Sequence, residues 1–422
     1  MSLKQLERDM AGCARCSNCK WIPHGQIKSW RFAYGCPSIS RYNFHAYSGS
    51  GKMIIGLSSL LGRTQLTDKT AEITYNCQLC GLCQVSCQAY RDDIDLCDVL
   101  LELRATFVQE GFVLPEHLDM IESMKEEDNT MGLAKADRGN WAADLGITDI
   151  NKEKVDVLFH AGCRYSYDED LRGSVRDSIM LLKRAGVKVG IAGKDESCCG
   201  DRAYEIGYQG ELKNFAEDMR SRVKASGAKI IVTPCSDCYY TFKYLYEKNG
   251  ISLGVQIYHM SELVSQLIKT ERIKPKKDVP MRVTYHDPCH LGRRGEVYKT
   301  GWKGDDKLER PIKYKQTGRL GIFDPPRDII KSIPGIDFVE MERIREYSWC
   351  CGSGGGVLEA NPGFASWTAK ERLQEALSKK AEAIVTACPW CVRIFKDTVK
   401  ETGDKIMVYD VMELLNISMG GR

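Results

Sequence analysis

The chain has 422 residues, enough for two or three domains with separate cores, and its 43% apolar and 28% charged shares exclude a disordered or fibrous protein. A net charge of +3 is nearly balanced and gives no reason to expect nucleic acid as a partner. No apolar run reaches the roughly 18–20 residues of a membrane span. The best, 53–61, is interrupted by Gly56, Ser58 and Ser59, and the first nine residues lack the apolar core of a signal peptide. The expected location is therefore the cytoplasm, free or peripheral to a membrane complex. In a reducing cytosol, nineteen cysteines mean metal or redox chemistry rather than disulfides.

Residues 1–150 hold the closely spaced cysteines and show little strand periodicity. Apolar positions over 98–111 recur at helical intervals with Gly111 as a stop, and 112–152 reads as helix and connector. From 155 onwards strands and helices alternate. Strands are predicted at 155–160, 187–192 and 230–233, and helices at 171–185, 212–225 and 239–247. After a Lys/Pro-rich joint at 274–280 the pattern returns, with strands at 282–286, 338–341 and 383–386 and a helix at 365–379. Such alternation implies a parallel sheet in each half. The division expected is 1–150, 151–275 and 276–422.

The cysteines of the two α/β halves repeat. The first half reads Cys163–x34–Cys198–Cys199–Gly200–x34–Cys235–x2–Cys238, and the second Cys289–x60–Cys350–Cys351–Gly352–x35–Cys388–x2–Cys391. In each half they fall just after the carboxyl ends of predicted strands, where open α/β sheets place their ligands. Thiolates suit iron–sulfur clusters, Cu(I) and zinc. Five thiolates exceed the usual four of tetrahedral zinc, and a vicinal disulfide leaves the outer three unexplained. A multi-iron cluster with bridging thiolates accounts for all five. The glycine after each pair permits a tight turn at positive φ beside a bulky group. The longer interval of the second half, 299–327, is basic and carries Trp302, Tyr314 and Phe323. It reads either as a solvated loop or as a docking or substrate loop.

The N-terminal cysteines follow a different rule. Cys77–x2–Cys80–x2–Cys83–x3–Cys87 has the spacing of a bacterial-ferredoxin run, with Gln88 in place of the usual proline. Its partner is Cys13–x2–Cys16–x2–Cys19, followed after sixteen residues by Cys36-Pro37. With the crossed ligation of two-cluster ferredoxins, Cys13, Cys16, Cys19 and Cys87 serve one cubane [4Fe–4S] cluster. Cys77, Cys80, Cys83 and Cys36 serve the other. Zinc knuckles are the alternative for these runs. Cys97 is left over, either a small packed hydrophobe or a spare ligand or redox thiol.

On the residues 285–293 (Tyr-His-Asp-Pro-Cys-His-Leu-Gly-Arg), 349–356 (Trp-Cys-Cys-Gly-Ser-Gly-Gly-Gly) and 386–391 (Thr-Ala-Cys-Pro-Trp-Cys), the chain resembles the Cys-Cys-Gly domain family, in particular the D-type subunits of heterodisulfide reductase. It is also similar to the iron–sulfur subunits of glycolate and lactate oxidation systems and of class II benzoyl-CoA reductase complexes. The resemblance implies an α/β fold class in which a helical two-cluster ferredoxin-like domain precedes two repeated Cys-Cys-Gly domains with parallel sheets. It implies two noncubane [4Fe–4S] clusters as well. One would be held by Cys163, Cys198, Cys199, Cys235 and Cys238, the other by Cys289, Cys350, Cys351, Cys388 and Cys391.

His286 and His290 flank Cys289 and are candidate proton donors to a departing thiolate, or else hydrogen bond backbone or cluster sulfur. Asp287 before Pro288 reads as a turn residue. Arg202, Arg293 and Arg294 are either anion attractors or solvated and salt-bridged side chains. The glycines at 352–356 are expected to wrap the metal site. No flavin or nicotinamide signature occurs, so a partner must supply electrons: a flavoprotein, a ferredoxin or a membrane cytochrome within a hetero-oligomeric complex. The expected function is an oxidoreductase subunit reducing a disulfide or thiol-derived substrate. The alternatives are a non-catalytic electron-transfer subunit and a zinc-stabilised scaffold.

Overall fold

The computed structural model describes residues 2–90, 94–296, 299–302, 313–315 and 317–421. The amino-terminal part is helical. Its longest members are Gly49–Leu60, Leu96–Gln109 and Pro115–Glu127, and the 53–61 run lies in the first of these, with Met53, Gly56 and Leu57 buried. Met53, Leu57, Val99, Leu103 and Phe107 join Leu3, Leu6 and Met10 in a core of their own. The helical reading of 98–111 holds, starting two residues early at Leu96 because Asp95 caps it by accepting from Asp98 N–H.

Two parallel sheets follow. The first is built from β1 (Thr148–Asp149), β2 (Val157–Phe159), β3 (Val189–Ile191), β4 (Ile230–Thr233) and β5 (Gln256–His259), ordered β1-β3-β2-β4-β5. The second half contains β6 (Met281–His286), a short antiparallel pair β7 (Lys299–Trp302) and β8 (Lys313–Lys315), then β9 (Ile336–Phe338), β10 (Ala383–Thr386) and β11 (Met407–Asp410). Its sheet is ordered β11-β10-β6-β9. Without β1, the two orders are the same, so the cysteine repeat is a repeat of topology. The strands are short apolar runs such as Val-Leu-Phe and Ala-Ile-Val-Thr, buried throughout because helices cover both faces of a parallel sheet.

The halves pack reciprocally. Helix Arg172–Arg184 of the first packs on Val411–Ser418 of the second, while Met260–Lys269 of the first packs on Asp324–Ser332 of the second. Equivalent helices thus exchange places, and one apolar core runs through both repeats.

Some expectations shift. The strand predicted at 338–341 ends at Phe338: Val339 still donates to Val283 O, but Glu342 and Arg343 N–H turn away to Glu375. The helix predicted at 239–247 starts at Ser236 and passes through a π turn at Thr241–Leu245. Strands β1, β5 and β11 were not predicted; they hold two to four residues each. Within the interval 299–327, the residues 303–312 and 316, together with the Trp302 and Tyr314 side chains, lie outside the described part. Phe323 is no loop residue: it is buried at the start of helix Asp324–Ser332, against Gly292.

Candidate metal centres at the carboxyl edges of two sheets

Each sheet delivers its cysteines as the sequence pattern requires. Cys163 follows β2, Cys198 and Cys199 follow β3, and Cys235 and Cys238 follow β4; Cys289 follows β6, Cys350 and Cys351 come after β9, and Cys388 and Cys391 after β10. Cys235 and Cys388 occupy the N-cap positions of the next helices, which sets them at the positive end of the helix dipole. Gly200 and Gly352 take φ of +87° and +112°, as expected for the residue after each pair.

The thiols form a continuous series of neighbours. Cys163 meets Cys198, Cys199 meets Cys238, and Cys238 meets Cys235. Cys235 then meets Cys388 of the other repeat; Cys388 meets Cys391, which meets Cys351, and Cys350 meets Cys289. The last link leaves the repeats, for Cys350 also meets Cys80 of the ferredoxin-like run. These sulfurs are buried, with Cys289 the most accessible, and no cysteine is in a disulfide. Thiol neighbours pull Cys199 down to about 6 and Cys289 to about 7, within reach of the deprotonated form that binds metal.

The N-terminal cysteines fall into two groups. Cys36, Cys77, Cys80, Cys83 and Cys97 line one small cavity. Cys13, Cys19 and Cys87 pack against the helical core, and Cys16 is exposed. Ser50 joins Cys13 and Cys19, its Oγ 3.3 Å from Cys13 Sγ and its N–H donating to Cys19 Sγ at 3.4 Å. The adjacent Gly49 packs on Cys83, so the two groups lie on either side of one helix start.

The histidines are both buried, in opposite environments. His290 Nδ1 lies 3.0 Å from Asp237 Oδ1 and its Nε2 3.1 Å from Glu205 Oε1; Nδ1 is also 3.7 Å from Cys289 Sγ. Burial opposes its charge, but Asp237, Cys289, Asp201 and Glu205 outweigh it and raise its pKa well above the ordinary value. His286 is the reverse. Burial lowers its pKa, Arg372 Nε donates to its Nδ1 at 3.2 Å, and a ring nitrogen lies within 4.8 Å of the Cys351 and Cys391 sulfurs.

The reading of Asp287 is corrected, and of the two readings of the arginines the paired one holds for Arg202 and Arg294. Asp287 is no simple turn residue: it is buried and takes both Arg327 guanidinium nitrogens at 2.6 and 2.9 Å, as well as Arg345 N–H. Arg202, Arg293 and Arg294 are each about 3% exposed and so unavailable to a substrate tail in solution. Arg293 donates to Cys80 O, Glu346 O and Ser348 O, and Arg294 to Leu79 O, Glu205 and Tyr240, clamping the ferredoxin-like run to both repeats. The 352–356 glycines serve the same seam. A Cβ at Gly354 or Gly355 would come within 2.5 Å of Gln78 O or Cys77 O, so only glycine lets the backbones approach.

Comparison with known proteins matches this architecture. The cysteine-rich CCG domain aligns with residues 157–243 and 312–396. The chain carries this cysteine-rich domain twice. It is 27% identical to the D subunit of the dihydromethanophenazine:CoB--CoM heterodisulfide reductase of Methanosarcina mazei, over 98% of this chain and 94% of that protein. It is 30% identical to the probable iron-sulfur-binding oxidoreductase FadF of Bacillus subtilis over 83% of its length, spanning 47% of that longer protein. The chain is therefore homologous to the D subunit of heterodisulfide reductase and to FadF-like iron–sulfur oxidoreductases. A crystal structure of a hypothetical protein from Helicobacter pylori shares the fold, with a TM-score of 0.54 at 11% identity over 88% of this chain and 68% of that one. The two curated relatives are named as a reductase and an oxidoreductase, and the first as one subunit of a complex, which supports an iron–sulfur electron-transfer role here. Among the described residues, no helix is long and apolar enough to cross a membrane.

Around the paired cysteine-rich domains lie residues that spacing did not reveal. Arg138, from the connector, bonds Glu196 at 3.0 Å and approaches Cys163 Sγ at 3.7 Å, while Glu196 accepts the Ala161 and Gly162 N–H groups. Asp201, Glu205 and Asp237 gather around His290, and burial pushes Asp201 up to about 8. The guanidinium groups of Arg164 and Arg202 both stack on Trp390, each 4.3 Å from a ring centroid. Asp201 and Glu205 follow the Cys198-Cys199-Gly200 motif closely and Asp237 lies inside Cys235-x2-Cys238, and that proximity was the only available signal.

Proposed function

We propose that this chain is an iron–sulfur oxidoreductase subunit that passes electrons from a partner to a disulfide or another thiol-derived substrate at the junction of its two repeats. The observation that carries this reading is the contact of Cys235 with Cys388, which sets two complete five-thiol groups side by side. Cys13, Cys16, Cys19 and Cys87 would hold one cubane [4Fe–4S] cluster, and Cys36, Cys77, Cys80 and Cys83 a second. Cys163, Cys198, Cys199, Cys235 and Cys238 would hold one noncubane cluster, and Cys289, Cys350, Cys351, Cys388 and Cys391 the other. The donor sets fit: they are converging sulfurs, unoxidised, and in the repeats too numerous for tetrahedral zinc. When bound, such clusters supply one-electron carriage and iron with affinity for sulfur.

The chain's own residues set an order on the four sites. Ser50 and Gly49 join the first pair of thiol groups, Cys80 meets Cys350 of the second repeat, and Cys388 meets Cys235 of the first. The exposed Cys16 makes the first group the side for a donor protein, in this reading a flavoprotein, a ferredoxin or a membrane cytochrome. His290, hydrogen bonded to Asp237 and Glu205, holds Nδ1 3.7 Å from Cys289 Sγ, where its proton can neutralise a departing thiolate.

The test is a metal and sulfide count on protein purified without oxygen, followed by reaction with a disulfide in the presence of a chemical reductant. About sixteen irons and sixteen sulfides per chain are expected from four such clusters, with disulfide cleavage by the isolated chain. Zinc in their place, with no visible absorption, supports the scaffold alternative. Full iron without cleavage leaves a wiring subunit whose chemistry lies in a partner.

A further inference from the structure

Nineteen cysteines are one more than the four proposed sites use, and the structure places the extra one, Cys97, inside a site. Cys36, Cys77, Cys80, Cys83 and Cys97 line the same cavity, with Gly81 in its wall and Cys97 in the first turn of helix Leu96–Gln109. Cys97 is 7% exposed. Its backbone N–H is fixed by Gln84 Oε1 at 2.9 Å, a residue of the same ferredoxin-like run. A Cβ on Gly81 would lie 3.5 Å from Cys97 Sγ and 3.2 Å from Arg294 Cγ, so the sulfur and the arginine stem both pack against the turn that carries the ligands. Two thiols of the run neighbour it: Cys97 acts on Cys83, and Cys80 acts on Cys97. Gly49 closes the other side, where a Cβ would lie 3.4 Å from Cys83 Sγ and 2.8 Å from Leu96 Cδ2.

A cubane offers four irons to thiolates, and five thiols converge here. On the iron–sulfur reading above, we propose that Cys97 is a reserve ligand of the second ferredoxin-like site, able to replace Cys83. The exchange needs no oxidant. The iron–sulfur bond to Cys83 breaks, one to Cys97 forms, the proton that Cys97 releases passes to the Cys83 thiolate, and no electron moves. Cys80 is the less suitable candidate for replacement, because its sulfur already faces Cys350 of the second repeat. Cys36 comes from a different segment, at the start of helix Pro37–Tyr42.

Iron content and the electron paramagnetic resonance of the reduced full-length protein test the idea. Wild-type and Cys97→Ala proteins are expected to carry the same iron, about sixteen per chain. Cys83→Ala is expected to keep that content with a shifted resonance, whereas Cys83→Ala/Cys97→Ala loses between one and four irons. Cys36→Ala loses iron whether or not Cys97 is present. A Cys83→Ala protein as iron-poor as the double variant overturns the proposal. Insoluble Cys83→Ala beside soluble Cys36→Ala does the same, since a reserve thiol spares the former site alone. Wild-type protein without iron is a separate outcome, which removes the iron–sulfur reading itself and this inference with it.

Discussion

Arg104 shows how much of this molecule depends on single buried charges. It is fully buried, and its guanidinium donates to Gly355 O at 2.7 Å, Glu205 O at 3.0 Å and Cys77 O at 2.6 Å, with longer bonds to Thr74 O and Tyr75 O. One side chain therefore satisfies carbonyls from the ferredoxin-like segment and from both repeats. Truncation leaves those acceptors dry and unpaired. Arg104→Ala is expected to cost about 3–5 kcal/mol in denaturant unfolding of the anaerobic protein. Arg104→Lys recovers little, since an ammonium lacks the planar fork that reaches separate carbonyls. An Arg104→Ala midpoint within error of wild type would falsify this account of the seam. In sequence, Arg104 is one polar position in a helical window, and nothing marks it as the hub. The same holds for Arg138, whose ion-pair partner Glu196 lies far off in the chain. The cysteines were legible because a repeated, spaced pattern of one residue type carries its own control.

Elements were legible where apolar runs were long enough. Strands β4 and β10 were predicted to the residue, and helices Arg172–Arg184 and Leu212–Ser226 to within one residue at each end. Strands β5 and β11 were missed because Gln-Ile-Tyr-His and Met-Val-Tyr-Asp are short edge strands that alternate buried with more exposed residues rather than running apolar throughout. Their helices carry matching capping boxes, His259 with Glu262 and Asp410 with Glu413, a signal that was available and unused. The turn after each cysteine pair gives a prediction at this scale. Both glycines need positive φ, which costs an alanine about 1 kcal/mol or more. Their surroundings differ, however. A Cβ at Gly352 would meet a backbone carbonyl, Ala365 O, at 2.4 Å, whereas one at Gly200 meets the Phe215 side chain at 2.8 Å. A ring can tilt and a helix backbone cannot. Gly352→Ala is therefore expected to lower the melting temperature more than Gly200→Ala, and equal losses would show that φ alone decides.

At the scale of the whole molecule, the two repeats are joined by reciprocal helix contacts whose electrostatics are unequal. In one, Lys269 pairs with Asp328 at 2.7 Å. In the other, Asp177 faces Asn416, which donates to it at 2.7 Å, with Glu413 nearby. Burial and then Glu413 push the Asp177 carboxyl up to about 7, against the smaller pull of Arg184. An unfolded aspartate titrates near 3.9. The folded chain therefore binds a proton that the unfolded chain has released, and the resulting stability is complete below about pH 4 and lost as pH rises through 7. Above that, two carboxylates face each other across the junction of the repeats. An asparagine in place of Asp177 would keep the bond from Asn416 and carry no charge. Asp177→Asn is expected to melt close to wild type at pH 5 and roughly 1–2 °C above it at pH 8, a small gain because solvent screens a half-buried group. A gap that stays constant between pH 5 and 8, or that favours wild type at the alkaline end, would show that this contact does not sense the proton.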